Sequence, residues 1–360
     1  MPHTPLRVGL VGAGANTRSK HIPGLRALPG VDITAVCNRR AESTAAALRE
    51  FAIPRAFERW EDLVADPDLD AVVIGAWPYL HCPVTLAALA AGKHVLTEAR
   101  MACNAAEARL MLAASRRHPN LVAQIVPSPY GLKGDAVMRD LLASGWLGEL
   151  REVQVYSFNR ALADPAAPLS WRQDAVLSGV NMLSLGILHE TLLRWAPRPV
   201  RLLAQAHAFI PTRIDPDSGV RRAVETPDSV QAVAVLEGGP RAVYQFSGVT
   251  PFGQGMGIWL YGSNGVLHYD IAADRIFGAS RRGGAASAAA QDLKEIPIPA
   301  DKAGGWHVEA DFVASIRDGA PVRLTDFATG VAYMEFTEAV AVSAREGRAV
   351  ELPPAGAGPP

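Results

Sequence analysis

A chain of 360 residues exceeds what one hydrophobic core serves, since cores stop growing near ~250 to 300 residues, so two domains are expected. Lysine and arginine number 35 against 36 aspartates and glutamates, a net charge of -1; this leaves no electrostatic footprint for nucleic acid or an anionic membrane and points to a small soluble partner. No apolar run reaches the ~18 residues of a membrane span, and the three cysteines, Cys37, Cys82 and Cys103, lack the spacing of a disulfide framework or a zinc site.

Met1-Pro-His-Thr-Pro-Leu-Arg7 leads straight into an apolar run without the pattern of a secretory leader, so a cytoplasmic protein is expected. Leu6 to Val11 is a short apolar strand ending in glycines, and Val31 to Cys37 is a second strand, with helix-compatible sequence between them. The alternation continues with a helix from Ala41 to Phe51, a buried strand from Ala71 to Gly75, a helix from Pro83 to Ala91 and a short strand at Val95 and Leu96. Asn104-Ala-Ala-Glu107 is a capping-box-like start to a helix reaching about Arg117. Strands alternating with helices predict a parallel sheet covered on both faces.

After about Val122 the texture changes. A helix from Asp135 to Ala143 leads into period-two runs such as Glu152 to Phe158 and Ser229 to Leu236, with turn signals at Glu237-Gly-Gly-Pro240 and Ser263-Asn-Gly265. The second half is therefore expected to form an open, mostly antiparallel sheet, with helices at Leu177 to Trp195 and Asp326 to Ala344 packed on it. The expected fold is α/β: a doubly wound Rossmann domain over residues 1-123, an α+β domain over 124-352, and a disordered tail over 353-360. Gly283 to Ala290 reads as a loop.

Gly12-Ala13-Gly14 follows a strand and opens a helix, the context in which glycines form a dinucleotide site. Gly12 permits the tight turn, and Gly14 lets the backbone approach a pyrophosphate seated on the helix N-terminus, with Ala15 and Asn16 beside it. Thr17 occupies the third glycine position. About 20 residues on, where an acid would hold the ribose of NAD, the chain reads Cys37-Asn38-Arg39-Arg40. Two arginines suit a 2'-phosphate, which favours NADP over NAD, although they also suit the solvated start of a helix.

The sequence resembles the glucose-fructose oxidoreductase and inositol dehydrogenase (Gfo/Idh/MocA) family nearly end to end. The residues that carry the resemblance are Val8-Gly-Leu-Val-Gly-Ala-Gly14, Asp70-Ala-Val-Val-Ile-Gly-Ala-Trp-Pro-Tyr-Leu-His81, Ala91-Gly-Lys-His-Val-Leu-Thr-Glu98, Ser144-Gly-Trp-Leu-Gly-Glu149, Trp171-Arg172, Leu185-Gly-Ile187 and Ser343 to Pro353. The resemblance implies hydride transfer between a nicotinamide and a hydroxyl- or carbonyl-bearing carbon, usually on a sugar or cyclitol, and a homodimer or homotetramer formed through the open sheet. It also implies that Ala76, Trp77, Pro78, His81 and Glu98 lie at the coenzyme.

The chain departs from that family where protons are handled. The family's Glu-Lys-Pro reads Glu98-Ala99-Arg100, and its Asp-x-Gly-x-His reads Ser184-Leu185-Gly186-Ile187-Leu188, with His189 one residue late. One residue rotates a helix by about 100°, so His189 is expected to point elsewhere unless the helix is locally shifted. Three readings stay open: an oxidoreductase whose acid/base work falls to His189, Tyr130, Lys133 or Arg100, with Glu98 able to orient one of them; a dinucleotide-binding sensor without turnover; and a redox-neutral lyase or glycosidase using tightly held NAD. Arg100, Trp171, Arg172 and Asn181 are candidate substrate contacts, Arg100 being equally suited to closing one domain on the other, and no metal site is expected.

Overall fold

The computed structural model describes residues 5-127, 132-281 and 293-354. Apolar runs with β-branched residues form β1 (Leu6–Val11), β2 (Val31–Cys37), β4 (Ala71–Ile74) and β5 (His94–Thr97) of the first sheet, flanked by the short β3 (Arg55–Ala56) at one edge and β6 (Ala123–Ile125) toward the other. All six run parallel in the order β6-β5-β4-β1-β2-β3. This is the Rossmann arrangement, in which the chain reverses direction between β1 and β4 and leaves a crevice at the strands' carboxyl ends.

The helix between Thr97 and Ala123 spans Ala105–Arg117, with the Asn104 side chain accepting from the Glu107 amide at 2.9 Å. Glu107 returns a bond to the amide of Cys103, so the polar groups at this helix start are satisfied as the sequence pattern predicts.

Among the described residues the second sheet has nine strands, including β7 (Leu150–Phe158), β8 (Pro199–His207), β9 (Ser229–Leu236) and β10 (Arg241–Ser247), and only the β7–β10 pair is parallel. Its alternating inner residues, among them Val155, Ala232, Tyr244, Phe246 and Leu260, pack on the helices Leu185–Leu192 and Phe327–Glu346. Leu203, Val233 and Tyr261 stay exposed on the outer face.

Two features depart from expectation. The helix expected over Leu177 to Trp195 is broken into Ala175–Ser178 and Leu185–Leu192. Gly179 (φ +63°) causes the break, because its backbone lies so close to Cys103 that a Cβ would sit 2.0 Å from the Cys103 carbonyl oxygen. The second feature is that the late helix Val308–Asp318 buries Val308, Phe312 and Val313 with Leu6, Val8 and Leu10 of the first sheet. The strand Thr325–Asp326 then pairs antiparallel with β6. Periodicity marks which face of a helix is apolar; it does not say which sheet will cover that face. Residues 283-290 and 355-360, expected as loop and tail, lie outside the described residues.

Candidate coenzyme site

A cleft of about 540 Å³ opens at the carboxyl ends of β1, β2 and β4, lined by Gly12, Ala13, Gly14, Asn38, Arg39, Gly75, Ala76, Trp77 and Tyr79, with Glu58, Arg59 and Glu61 at its rim. Gly12 has φ +90°, and a Cβ there would lie 2.5 Å from the Ala76 amide nitrogen. Thr17, in place of a third glycine, is buried and donates its Oγ1 proton to the Gly12 carbonyl at 3.1 Å. Gly75 makes room for that hydroxyl, since a Cβ on it would sit 1.9 Å from Thr17 Oγ1. Gly75 was missed as a site residue by sequence reasoning, although a glycine directly after β4 at the topological switch was the available signal.

Asn38 braces this loop. Its Oδ1 accepts from the Ala13 amide at 2.6 Å, and its Nδ2 donates to the Ser43 carbonyl at 2.9 Å. The helical run that begins at Ala15 contains one wide turn at Thr17–His21 and continues as Ile22–Arg26. Its leading amides have no acceptor within the helix, the feature by which helix starts hold phosphates. A glycine-built cradle, a braced loop and a helix start fit a dinucleotide.

Along one wall runs a stack of cations and rings. Arg39 lies over the Trp77 ring (5.3 Å), Trp77 stacks on Trp171 (5.7 Å, 15° between planes), and Arg172 covers Trp171 (4.2 Å). Trp77 comes from the first domain and Trp171 from the second, so the stack joins the two across the cleft mouth. Arg39 and Arg40 are both engaged by Asp217, Arg39 Nη2 donating to Oδ2 at 2.8 Å and Arg40 Nη2 to Oδ1.

Beneath the cleft lies a buried cluster. His21 Nε2 is 2.9 Å from Glu98 Oε1, and His21 Nδ1 is 2.5 Å from Glu309 Oε1. Asn16 Nδ2 donates to Glu98, and Trp306 Nε1 donates to Glu309 at 2.7 Å. Burial works against a charged imidazole here, but hydrogen bonds to Glu309 and Glu98 outweigh it and raise His21 to about 9. Burial likewise opposes the charge on Glu98, and the His21 contacts hold its carboxyl below the usual range. Asn16 and Glu98 are thus tied together, and Glu98 fixes the helix start to the end of β5.

Model matches and overall likeness agree with this geometry. The family model described as oxidoreductase family, NAD-binding Rossmann fold, matches residues 6-125, and that of the GFO/IDH/MocA C-terminal domain matches residues 136-268. The chain belongs to the Gfo/Idh/MocA oxidoreductase family. An uncharacterized oxidoreductase of Rhizobium meliloti is 26% identical over 355 residues, covering 95% of this chain and 98% of that one. A trans-1,2-dihydrobenzene-1,2-diol dehydrogenase of Sus scrofa is 34% identical over 184 residues, 51% of this chain and 53% of that one. A 1,5-anhydro-D-fructose reductase of Ensifer adhaerens is 33% identical over 180 residues, 49% and 52%. The match to the last two therefore spans about half of their length. Among solved structures, levoglucosan dehydrogenase in complex with NADH superimposes with a TM-score of 0.84 at 20% identity, covering 97% of this chain and all of that one, and shows the shared fold.

Within this family frame several sequence-predicted residues move out of the cleft. His189 is fully buried, stacked on Phe336 at 3.7 Å with Nδ1 3.0 Å from the Tyr244 hydroxyl. Burial, with Arg198 adding, lowers it to about 3, so it is a neutral core residue of the sheet domain. Leu188 lies in the same core. Ser184 stands at the N-cap position of the helix that follows, with no side-chain bond to its amides, and is half-buried. Asn181 is buried and donates to the carbonyls of Ala102 (2.9 Å) and Ser178 (2.6 Å), which ties the broken helix to the first domain.

His81 is buried too, its ring nitrogens 2.8 Å from the Arg100 carbonyl and 2.9 Å from the Ala76 carbonyl. It braces the segment behind the coenzyme loop, and burial pulls it below the ordinary histidine range. Pro78 is buried at the start of the helix Pro78–Ala90. Arg100 is buried, donates to the Leu183 carbonyl at 3.3 Å and packs near Gly186; it closes one domain on the other. Burial, reinforced by nearby Arg172, lowers its guanidinium to about 10. Lys133 is held by its backbone to Asp274 and Gly304, with its side chain exposed, and Tyr130 lies outside the described residues. Among the described residues no cluster of His, Cys, Asp and Glu could hold a metal, and no helix is long and apolar enough to cross a membrane.

Proposed function

We propose that this chain is an NAD(P)-dependent oxidoreductase acting on a hydroxyl- or carbonyl-bearing carbon of a small carbohydrate-like molecule. The observation that carries the reading is the cradle of Gly12, Gly14 and Gly75 at a helix start, braced by Asn38. The amides at the start of the helix hold the pyrophosphate, and Trp77 with Trp171 forms the aromatic wall at the mouth. The nicotinamide supplies the hydride acceptor or donor when bound. Support for the substrate class comes from relatives whose names specify a dehydrogenase of a diol and a reductase of an anhydro sugar.

Proton transfer to the substrate oxygen needs a group within hydrogen-bond reach. We assign it to the segment that leaves the carboxyl end of β6, carrying Tyr130 and Lys133, because ligands of open α/β sheets sit outside those strand ends. Oxidation of NADPH or NADH at 340 nm with a panel of ketoses, anhydro sugars and inosones tests the reading. Turnover with one of them that falls by about 100-fold or more in Tyr130→Phe or Lys133→Met, at unchanged coenzyme affinity, is the expected result. A full panel without turnover overturns it.

Arg39 and Arg40 are proposed to hold the 2'-phosphate of NADP(H). Arg39→Ala/Arg40→Ala is expected to weaken NADPH binding by roughly 1.5 to 3 kcal/mol per arginine while affecting NADH far less. Isothermal titration calorimetry of both coenzymes reads this, and an unchanged NADPH dissociation constant removes the reason for preferring NADP.

A further inference from the structure

The end of β2 carries two arginines and no acid, yet a carboxylate stands there all the same. It comes from the other domain. The hairpin Thr212–Ile214 to Arg221–Ala223 reaches across to the first domain and sets Asp217 between Arg39 and Arg40, one oxygen to each guanidinium. Two guanidiniums converging on one anion is the arrangement that suits a phosphate, and here the anion is the protein's own.

The hairpin tip is built to present that group. Asp215 Oδ1 accepts from the amides of both Asp217 and Ser218 at 2.9 Å, and Gly219 takes φ +69° to close the turn. Arg222 pairs with Asp215 at 2.8 Å and Asp174 at 3.1 Å, anchoring the tip near the Trp171 segment. Arg213, fully buried, donates to the carbonyls of Leu162, Asp164 and Ala167 and locks the hairpin base. Asp217 joins the turn through its backbone amide and meets the arginines with its carboxylate, so the turn does not depend on that charge.

We propose that Asp217 sets the coenzyme preference: it takes the place of the missing acid at the end of β2, competing with a 2'-phosphomonoester for Arg39 and Arg40 and offering an acceptor to unphosphorylated ribose hydroxyls. A phosphate on the ribose meets arginines already neutralised and a like charge beside them, whereas a ribose diol meets an acceptor. This rests on the coenzyme reading given above, and Asp217 restrains the preference for NADP(H) that Arg39 and Arg40 supply.

Asp217→Asn keeps the size of the side chain and the Asp215 turn. Calorimetry of the full chain with NADPH, NADH and adenosine 2',5'-bisphosphate is expected to show the NADPH-to-NADH affinity ratio rising by roughly threefold or more, up to the roughly thirtyfold that two exposed ion pairs can supply. The bisphosphate gains by a similar factor. Hydrogen exchange in residues 212-223 of the unaltered protein is expected to speed up with NADPH and to stay slow with NADH. A ratio within about twofold of the unaltered protein, or a hairpin equally protected by both coenzymes, overturns the proposal. If Arg39→Ala/Arg40→Ala abolishes the NADPH contribution while Asp217→Asn changes nothing, only the role of Asp217 fails. If the arginine variant is also without effect, the phosphate reading fails with it.

Discussion

Gly12→Ala is expected to raise the NAD(P)H dissociation constant by about 100-fold or more. The added Cβ meets the Ala76 nitrogen at 2.5 Å and the Gly75 carbonyl carbon at 2.7 Å, and these are backbone atoms with no rotamer to yield. The residue must also hold φ +90°, which costs an L residue of order 1 to 3 kcal/mol. Relief comes only by moving the turn away from β4, and that movement takes the helix start with it; a combined loss of about 3 kcal/mol corresponds to that factor. Gly14→Ala is the control. Its Cβ meets only the Gly75 carbonyl oxygen at 3.3 Å, so stability changes by less than about 1 kcal/mol while affinity falls, because the backbone that approaches the ligand has lost its open face. Quenching of tryptophan fluorescence by coenzyme, read beside urea unfolding, checks both; a Gly12→Ala protein that binds within about threefold of the unaltered chain refutes the cradle.

The second large effect belongs to His21. His21→Leu leaves Glu98 and Glu309 facing each other without the imidazolium between them, and an uncompensated buried charge costs about 3 to 5 kcal/mol. The pH dependence has a definite sign. His21 rises from an ordinary 6.5 to about 9 in the folded chain, so the stability it contributes is fully present below 6.5 and is lost as pH climbs through about 9. Glu98 moves the other way, held below its ordinary 4.5, so its contribution is present above that value and lost on acidification. Urea unfolding between about pH 6 and about pH 10 is expected to show the unaltered protein weakening toward the alkaline end and His21→Leu lacking that decline. Parallel alkaline curves for the two proteins would mean that His21 is not charged in the fold.

The apolar runs at Leu6 to Val11, Val31 to Cys37 and Ser229 to Leu236 announce their strands because burial on both faces, or on one, leaves a direct mark on residue order. Gly12 and Gly14 were readable for a similar reason, since a strand, two glycines and a helix form a local unit. His189 was a reasonable suspect on spacing from Gly186, but spacing carries no information about which core a helix face enters, and that face enters the sheet domain against Phe336 and Tyr244. His81 and Asn181 look like ligand groups in a string of letters; three-dimensional neighbours turn them into braces for backbone carbonyls.

Local patterning alone therefore settles the two sheets, the glycine turn and the absence of an acid at the end of β2, because each depends on residues within a few positions of one another. The pairing of His21 with Glu309, of Trp77 with Trp171 and of Arg39 and Arg40 with Asp217 joins positions far apart along the chain. Closure of one domain on the other decides the Trp77 and Asp217 pairs, and the return of the late helix Val308–Asp318 to the first sheet decides His21 with Glu309, since side chains separated by long loops meet according to how the cores pack and not according to their order in the chain.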